Sequence, residues 1–269
     1  MLLSRDEKIA VLKTARRAVT DLGLPSYPIV AGISGQSTRE SIQLAQDAAA
    51  AGASFCLLLP PSFWAKAVTE EVLLGFYRDV ADASPLPIVI YNFPAVTGGV
   101  DLNSDDLAAL AAHPNIVAVK LTCGNVGKAV RLTSRFTPAQ FSVYGGSSDF
   151  LVPTLEGGGV GCVTGMGNVF PRATAQVYEL WTAGRRDEAK ELQDVVANAE
   201  WACKKSLALT KFAAGHFLGK QLGVKADAFW PRRPYLPPAE KAQAWTVEVM
   251  GVLEEAENAL PLRALSKEP

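Results

Sequence analysis

Histidine and cysteine are scarce in this chain of 269 residues, and neither is spaced for a metal centre or a disulfide framework. The two histidines, His113 and His216, lie far apart in the sequence. The four cysteines form no CxxC pair and no cluster: Cys56, Cys123, Cys162 and Cys203. A histidine-based metal site or a Ser-His-Asp triad therefore has little support, and we expect neither a metal nor a cofactor. Cysteines in or beside apolar segments are typical of buried thiols in a reducing compartment.

Long apolar runs and an excess of either charge are also missing. No segment approaches the roughly 20 apolar residues of a membrane span, and the start "MLLSRDEKIAVLK" lacks the apolar stretch of a signal peptide. Lysine plus arginine (26) nearly balance aspartate plus glutamate (27), and no basic patch stands out. These absences predict a soluble cytoplasmic protein with a small-molecule substrate and with neither a membrane nor a nucleic acid as partner.

Nucleotide-binding motifs are absent as well. No GxGxxG follows a strand-like segment, and GxxxxGK[ST] does not occur. The glycines of "GGGVGCVTGMG" flank a strand-like segment and do not open a helix after one. An open nucleotide-binding sheet is therefore disfavoured relative to a barrel.

Strand-like and helical segments alternate through the first part of the chain. A capping box, "SRDE", predicts a helix from Ser4 toward Asp21 that stops at Gly23. Six apolar strand-like segments follow, beginning at Pro28, Phe55, Pro87, Ile116, Phe141 and Gly159. Strands that alternate with helical segments indicate βαβ units and a parallel sheet.

The strand pattern ceases after residue 172. Helical patterns are predicted at about 173–183, 187–215 and 239–259, interrupted by the proline-rich "FWPRRPYLPP". The predicted fold is therefore α/β, of the TIM (β/α)8 barrel type. We expect a barrel body over 1–172 and a C-terminal helical region over 173–269 that packs on it.

A lysine ends the apolar segment "NIVAVKLTCGN". The chemistry of a barrel lies at the carboxyl ends of its strands, and Lys120 is at such an end. Loss of hydration there favours the neutral amine, the form that attacks a carbonyl to make a Schiff base. The alternatives are that Lys120 extends to solvent or pairs with a carboxylate.

Three further polar residues follow strand-like segments. Tyr91 ends the preceding strand and can relay protons during imine formation, or it is a packed aromatic with a bonded hydroxyl. Asn92, before "FP", is predicted to form a turn. Asp149 either faces the pocket or caps the next helix.

Five stretches together resemble the dihydrodipicolinate synthase and N-acetylneuraminate lyase family: "GISGQSTRESIQLAQDAAAAGA", "LPIVIYNFP", "NIVAVKLTCGN", "GGSSDFLVPTLEGGGVGCVTGMGNVFP" and "RRPYLPP". Family members are (β/α)8 barrels with a C-terminal helical extension, usually homotetramers, and form a lysine imine with pyruvate. The stretches "KLTCGN" and "YNFP" are most similar to those of fungal-type aldolases that cleave 2-oxo-3-deoxy sugar acids or 4-hydroxy-2-oxoglutarate. The resemblance thus implies a metal-independent class I aldolase or lyase, assembled as a tetramer or dimer, that cleaves or forms a 2-oxo acid with pyruvate as one partner.

The resemblance also assigns roles to individual positions. Lys120 matches the Schiff-base lysine, Tyr91 the proton-relaying tyrosine, and Val163 the residue whose backbone carbonyl lines the pyruvate site. Positions that contact the polyol part of the substrate in the sialic-acid-lyase branch are matched by Thr122, Gly146, Ser148, Asp149 and Gly165.

Two departures from the family pattern concern single side chains. Dihydrodipicolinate synthases carry an arginine for the substrate carboxylate where this chain has Val96. The side chain of Val96 is neutral and cannot donate the paired hydrogen bonds of a guanidinium group. Dihydrodipicolinate synthesis is therefore the less favoured alternative. A Tyr-Tyr pair whose second member reaches a neighbouring subunit's site is replaced by Phe63 and Trp64, and an indole cannot relay a proton as a phenol does.

The largest departure concerns the number of strands. Six are predicted where a closed barrel has eight, so the resemblance implies a barrel that lacks its first two strands and the threonine that binds the pyruvate carboxylate. On this ground a non-catalytic relative that serves as a binding or assembly partner stays open as an alternative. A hydro-lyase that uses the same imine is a further alternative.

Overall fold

A computed structural model describes residues 2–261 and contains one sheet of six parallel strands whose spatial order follows the chain order. The strands are β1 (Val30–Gly32), β2 (Phe55–Leu58), β3 (Ile88–Asn92), β4 (Ile116–Leu121), β5 (Ser142–Gly145) and β6 (Gly161–Cys162). All six predicted strands are present, which confirms the α/β class. In the register of β3 with β4, Tyr91 lies directly opposite Lys120.

In the described part of the chain, six α-helices accompany the strands: α1 (Arg5–Asp21), α2 (Thr38–Ala50), α3 (Glu70–Ala83), α4 (Ser104–Ala111), α5 (Val126–Thr133) and α6 (Leu151–Glu156). The predicted capping box starts α1, since the Glu7 amide donates to Ser4 Oγ and the Ser4 amide donates to Glu7 Oε2. Gly23 follows the helix with a φ of 79°, a left-handed conformation that favours glycine. The predicted start and stop of α1 are therefore confirmed.

Within the described residues, five α-helices follow β6: α7 (Pro171–Thr182), α8 (Arg186–Lys205), α9 (Leu207–Ala213), α10 (Glu240–Gly251) and α11 (Glu254–Ala259). The helical pattern predicted at about 187–215 is present but is divided into α8 and α9, because the chain is extended at Ser206 (φ −166°, ψ 154°). The Ser206 hydroxyl accepts a hydrogen bond from the Leu209 amide and caps α9. A serine that bonds nearby backbone offers the chain an alternative to an unbroken helix, and here that alternative is used.

The described chain divides into two compact units. The first comprises residues 2–144 and 157–160, with a core that includes Ile88, Ile90 and Val119; the second comprises 145–156 and 161–261, with a core that includes Phe170 and Val196. The domain division at residue 172 stays a prediction. Residues 1 and 262–269 of the predicted domains lie outside the described residues.

Candidate active site

The strand-end lysine lies against the neighbouring tyrosine in the first unit. Lys120 Nζ is 4.0 Å from the centroid of the Tyr91 ring, and only 8% of Lys120 is exposed. Among residues 2–261, no carboxylate forms an ion pair with Lys120. Among the described residues, Lys120 therefore neither extends to solvent nor pairs with a carboxylate. The amine instead has low hydration and an aromatic face beside it.

The Tyr91 ring also packs against an aromatic side chain two residues further along the chain. Its ring stacks on Phe93 with the centroids 5.6 Å apart. Within the described part of the chain, the Tyr91 hydroxyl makes no hydrogen bond, so the alternative of a packed aromatic with a bonded hydroxyl does not hold. A phenol that is not bound elsewhere can give a proton to a substrate oxygen or take one from it.

Thr122 continues β4 beyond its last residue. Its amide donates to the Asn92 carbonyl oxygen at 2.9 Å, so the ladder with β3 extends by one more hydrogen bond. Side chains two positions apart on a strand lie on the same face, which places Thr122 on the face of Lys120. Thr122 Oγ1 is buried and bonds to none of the described residues. This hydroxyl therefore keeps its donor and acceptor capacity for a ligand.

A buried polar cluster fixes the backbone that follows Tyr91. Asn92 is fully buried; its side-chain amide donates to Asp101 Oδ1 at 2.6 Å and accepts from the Leu102 amide at 3.1 Å. Lys128, which is 3% exposed, donates to the same Asp101 oxygen and to the Leu102 carbonyl, both at 2.5 Å. Asn92 therefore closes the loop after β3, in line with the turn predicted there. The contributions of Asp101 and Lys128 were not predicted.

A second polar cluster lies entirely in the second unit, around Glu200 of α8. Glu200 is 3% exposed, and its carboxylate accepts from Ser148 Oγ at 2.8 Å, from the Asp149 amide at 2.5 Å and from Thr164 Oγ1 at 2.8 Å. Burial raises the pKa of Glu200, and the hydrogen bonds from Ser148 and Thr164 offset part of that rise. No local pattern points to Glu200, because its partners Ser148 and Thr164 are 52 and 36 residues away along the chain.

Two more side chains of α8 contact the loop between β5 and α6. Gln193 accepts from the Val152 amide and donates to the Ser148 carbonyl oxygen. Lys204 forms an ion pair with Asp149 Oδ2 at 2.7 Å. The expectation that Asp149 caps the next helix is wrong, because Gln193 already binds the amide in the first turn of α6 and the Asp149 carboxylate turns to Lys204. Asp149 Oδ1 is buried and has no partner among the described residues.

The remaining predicted positions have no reactive side chain and contribute backbone. Gly146 follows β5 and is buried, whereas Val163 and Gly165 follow β6 and are exposed. The Val163 amide donates to the Gly145 carbonyl oxygen at 2.9 Å, which extends the β5–β6 pairing. Thus the first unit brings together Tyr91, Lys120 and Thr122, and the second unit brings together the other predicted positions.

The residues that depart from the family pattern are exposed. Phe63 and Trp64 are 85% and 78% exposed, and their ring centroids are 6.3 Å apart. Val96 is also exposed, on the turn after β3. Among residues 2–261, no group of three or more His, Cys, Asp or Glu side chains could hold a metal ion, and no helix has the length and apolar character of a membrane span.

The sequence pattern of the dihydrodipicolinate synthetase family matches residues 1–253. The chain belongs to this family.

Fungal proteins are among its most similar relatives. The chain is 44% identical over 262 residues to a protein of Coccidioides immitis (strain RS) that is provisionally named a mitochondrial 4-hydroxy-2-oxoglutarate aldolase, covering 96% of this chain and 82% of that protein. A similarly named mitochondrial protein of Emericella nidulans is 42% identical, covering 96% and 81%. The L-threo-3-deoxy-hexylosonate aldolase of Hypocrea jecorina is 40% identical, covering 91% and 78%. The predicted fungal-type aldolase resemblance is confirmed, and these relatives define the chain as a carbon–carbon lyase of the aldolase type.

Solved structures agree with the sequence comparison. A dihydrodipicolinate synthase family protein from Coccidioides immitis superposes with a TM-score of 0.88 at 42% identity, covering 97% of this chain and 82% of that one. YagE from Escherichia coli K12, solved in complex with pyruvate, superposes with a TM-score of 0.81 at 26% identity, covering 94% and 82%.

The expected cytoplasmic location is wrong. Two of the relatives, from Coccidioides immitis and Emericella nidulans, are named as mitochondrial proteins. The expectation was based on the absence of a signal peptide and on cysteines that suit a reducing compartment. Neither feature distinguishes the cytoplasm from the interior of an organelle.

Proposed function

We propose that Lys120 forms an imine with the carbonyl carbon of a 2-oxo-3-deoxy sugar acid or of 4-hydroxy-2-oxoglutarate. The observation that carries this proposal is the Lys120 amine, 8% exposed and 4.0 Å from the Tyr91 ring, without an ion pair to any described carboxylate. An amine with low hydration and no fixed counter-charge is suited to attack a carbonyl.

The reaction follows from the imine. The Lys120 nitrogen adds to C2, the oxygen of C2 leaves as water, and the iminium withdraws electrons from C3. Removal of the proton from the C4 hydroxyl then breaks the bond between C3 and C4, which gives an aldehyde and an enamine on Lys120. Protonation at C3 and hydrolysis release pyruvate and restore the amine. Tyr91 moves protons during these steps.

Binding roles for the other positions come from the resemblance. The resemblance matches Val163 to a position whose carbonyl lines a pyruvate site, and it matches Thr122, Gly146, Ser148, Asp149 and Gly165 to positions that contact a hydroxyl-bearing tail. The buried Thr122 and Asp149 oxygens that bond to none of the described residues support these roles. A dihydrodipicolinate synthase-like condensation has less support, because Val96 cannot bind a carboxylate through hydrogen bonds.

The proposal is tested by incubating the protein with pyruvate, reducing with sodium borohydride and mapping the modified residue by mass spectrometry. We expect a pyruvate-sized adduct on Lys120. Lys120→Arg is the matched control, since it keeps the charge but cannot form the imine, and it should show no adduct. An unmodified Lys120 in protein shown to be folded by circular dichroism would refute the proposal and leave the non-catalytic alternative. Assays for pyruvate and aldehyde then separate an aldolase from a hydro-lyase.

We also propose that the six strands correspond to the last six of an eight-stranded barrel. The support is that the chain spans 82% of the length of the Coccidioides immitis relative and superposes on 82% of the solved structure. Addition of the preceding strands of such a relative should increase the yield of the borohydride-trapped adduct. An unchanged yield would contradict this correspondence.

Assembly and location are the remaining parts of the proposal. We infer a homo-oligomer, a tetramer or dimer, in which the exposed Phe63 and Trp64 contact a neighbouring subunit. Sedimentation should then show that Trp64→Ala weakens assembly. The names of the relatives support a mitochondrial location, which fractionation of the source cells would test.

A further inference from the structure

One face of α8 braces the loop between β5 and α6. Gln193, Glu200 and Lys204 are spaced by seven and four residues, so they lie on the same side of the helix. Gln193 contacts the Ser148 carbonyl oxygen, Glu200 contacts the Ser148 hydroxyl, and Lys204 contacts the Asp149 carboxylate. The loop conformation is therefore fixed from α8.

Glu200 also sets the direction of the hydrogen bonds in this cluster. A carboxylate only accepts hydrogen bonds, so the Ser148 and Thr164 hydroxyls must each donate their single hydrogen to Glu200. Both hydroxyl oxygens then act toward any other group as acceptors; Thr164 Oγ1 already accepts from the Met166 amide at 3.1 Å and has one lone pair left. Asp149 Oδ1, which is buried and bonds to none of the described residues, is an acceptor as well. The cluster as a whole therefore suits a ligand that donates hydrogen bonds.

The charges of the cluster lead to the same conclusion. Two carboxylates, Glu200 and Asp149, lie beside one ammonium group, Lys204, which is already paired with Asp149, so the three side chains carry one net negative charge. An added carboxylate would meet net negative charge and oxygen acceptors, which costs free energy in a buried setting. A hydroxyl-bearing tail meets no such cost.

We propose that Glu200 is a positioning residue that determines specificity, holding Ser148 and Thr164 as acceptors so that the enzyme prefers 2-oxo-3-deoxy sugar acids to dicarboxylates such as 4-hydroxy-2-oxoglutarate. This inference rests on the proposed function, which assigns the Ser148 loop to the substrate tail. Glu200 itself acts through Ser148, Thr164 and the Asp149 amide.

The test compares kcat/KM for L-threo-3-deoxy-hexylosonate and for 4-hydroxy-2-oxoglutarate in the parent protein and in Glu200→Gln. Glutamine keeps the shape, but its amide nitrogen donates and so reverses one hydrogen bond. We expect the parent protein to prefer the sugar acid. Glu200→Gln should raise KM for the sugar acid by roughly tenfold, as expected for one or two lost hydrogen bonds to the substrate, with kcat and the KM of the dicarboxylate changed far less. Glu191→Gln, on the exposed side of α8, should change nothing.

Borohydride trapping with pyruvate, which has no tail, separates the two proposals. No adduct on Lys120 of the parent protein overturns the proposed function. An adduct in both proteins, combined with a parental preference for the dicarboxylate or with an equal loss for both substrates in Glu200→Gln, overturns the role of Glu200 alone. If Glu200→Gln does not fold, Thr164→Val takes its place, because it removes one of the two hydroxyls and should raise the same KM. An unchanged KM in folded Thr164→Val would overturn the inference.

Discussion

Removal of the Lys128 ammonium should destabilise the protein while leaving its imine chemistry intact. Lys128 is buried, and its Nζ donates to Asp101 Oδ1 and to the Leu102 carbonyl, each at 2.5 Å. Lys128→Met keeps most of the apolar stem and removes the charged group. The variant therefore isolates the contribution of the ion pair and its hydrogen bonds.

The magnitude follows from what each partner loses. Loss of one member of a fully buried ion pair costs about 3–5 kcal/mol. The Asp101 side chain is 45% exposed, so water can solvate its carboxylate in the variant. This carboxylate also still accepts the hydrogen bond from the Asn92 side chain. The buried Leu102 carbonyl has no such replacement and costs about 1–3 kcal/mol. We therefore expect Lys128→Met to lower the free energy of unfolding by about 2–3 kcal/mol, which is less than the cost of breaking a fully buried ion pair.

Urea titration followed by circular dichroism measures this loss, and Lys190→Met is the matched control. Lys190 pairs with Asp194 on the exposed surface of α8, with side chains that are 62% and 58% exposed. Such a pair contributes about 0.3–0.5 kcal/mol, so the control should barely shift the curve. A loss in Lys128→Met no larger than in the control would refute the reasoning. Borohydride-trapped pyruvate should remain on Lys120 in both variants.

Three further predictions concern other parts of the molecule. Tyr91→Phe keeps the ring against the lysine amine but removes the hydroxyl, so kcat for retro-aldol cleavage should fall by about 100-fold or more, and a kcat within a few-fold of the parent would exclude proton relay by Tyr91. The hydrogen bond and charge of Arg5 lower the pKa of Asp47, so this pair adds stability above about pH 4 that is lost as the pH falls through the lowered pKa. In urea titrations at a series of pH values, Arg5→Ala should therefore lose less stability on acidification than the parent protein. Identical pH dependence in the two proteins would contradict this. Burial raises the pKa of the Cys56 and Cys203 thiols to about 11. Mass spectrometry should therefore find both cysteines unmodified after brief iodoacetamide treatment of the native protein at about pH 8. Rapid labelling of either cysteine would count against its burial.

Local pattern and parallel pairing were enough to predict the Lys120 and Tyr91 arrangement. Both residues end consecutive apolar segments, and in a parallel sheet the ends of neighbouring strands lie side by side. The capping box of α1 was equally readable, because its two residues are three positions apart. Contacts of this kind are set by neighbours in sequence or by the regular register of strands.

The role of α8 could not be predicted in this way. Glu200 binds Ser148 and Thr164, which precede it by 52 and 36 residues, and no periodic pattern links the three. The interpretation of Asp149 as a helix cap was wrong for the same reason, since Gln193 reaches the first turn of α6 from 41 residues away. Ser206 illustrates a different limit: its helical and capping conformations are both compatible with the local sequence, and the chain adopts the capping one.

The spacing of Gln193, Glu200 and Lys204 constrains which length changes α8 can accept during evolution. Insertion or deletion of one residue between the first and last of these positions would turn the two parts of the helix relative to each other by about 100°. At least one of the three side chains would then point away from the loop between β5 and α6. Sequence changes on the outer face, such as at Glu191, carry no such penalty. Related proteins that keep this bracing should therefore vary α8 by substitution and leave its length unchanged between residues 193 and 204.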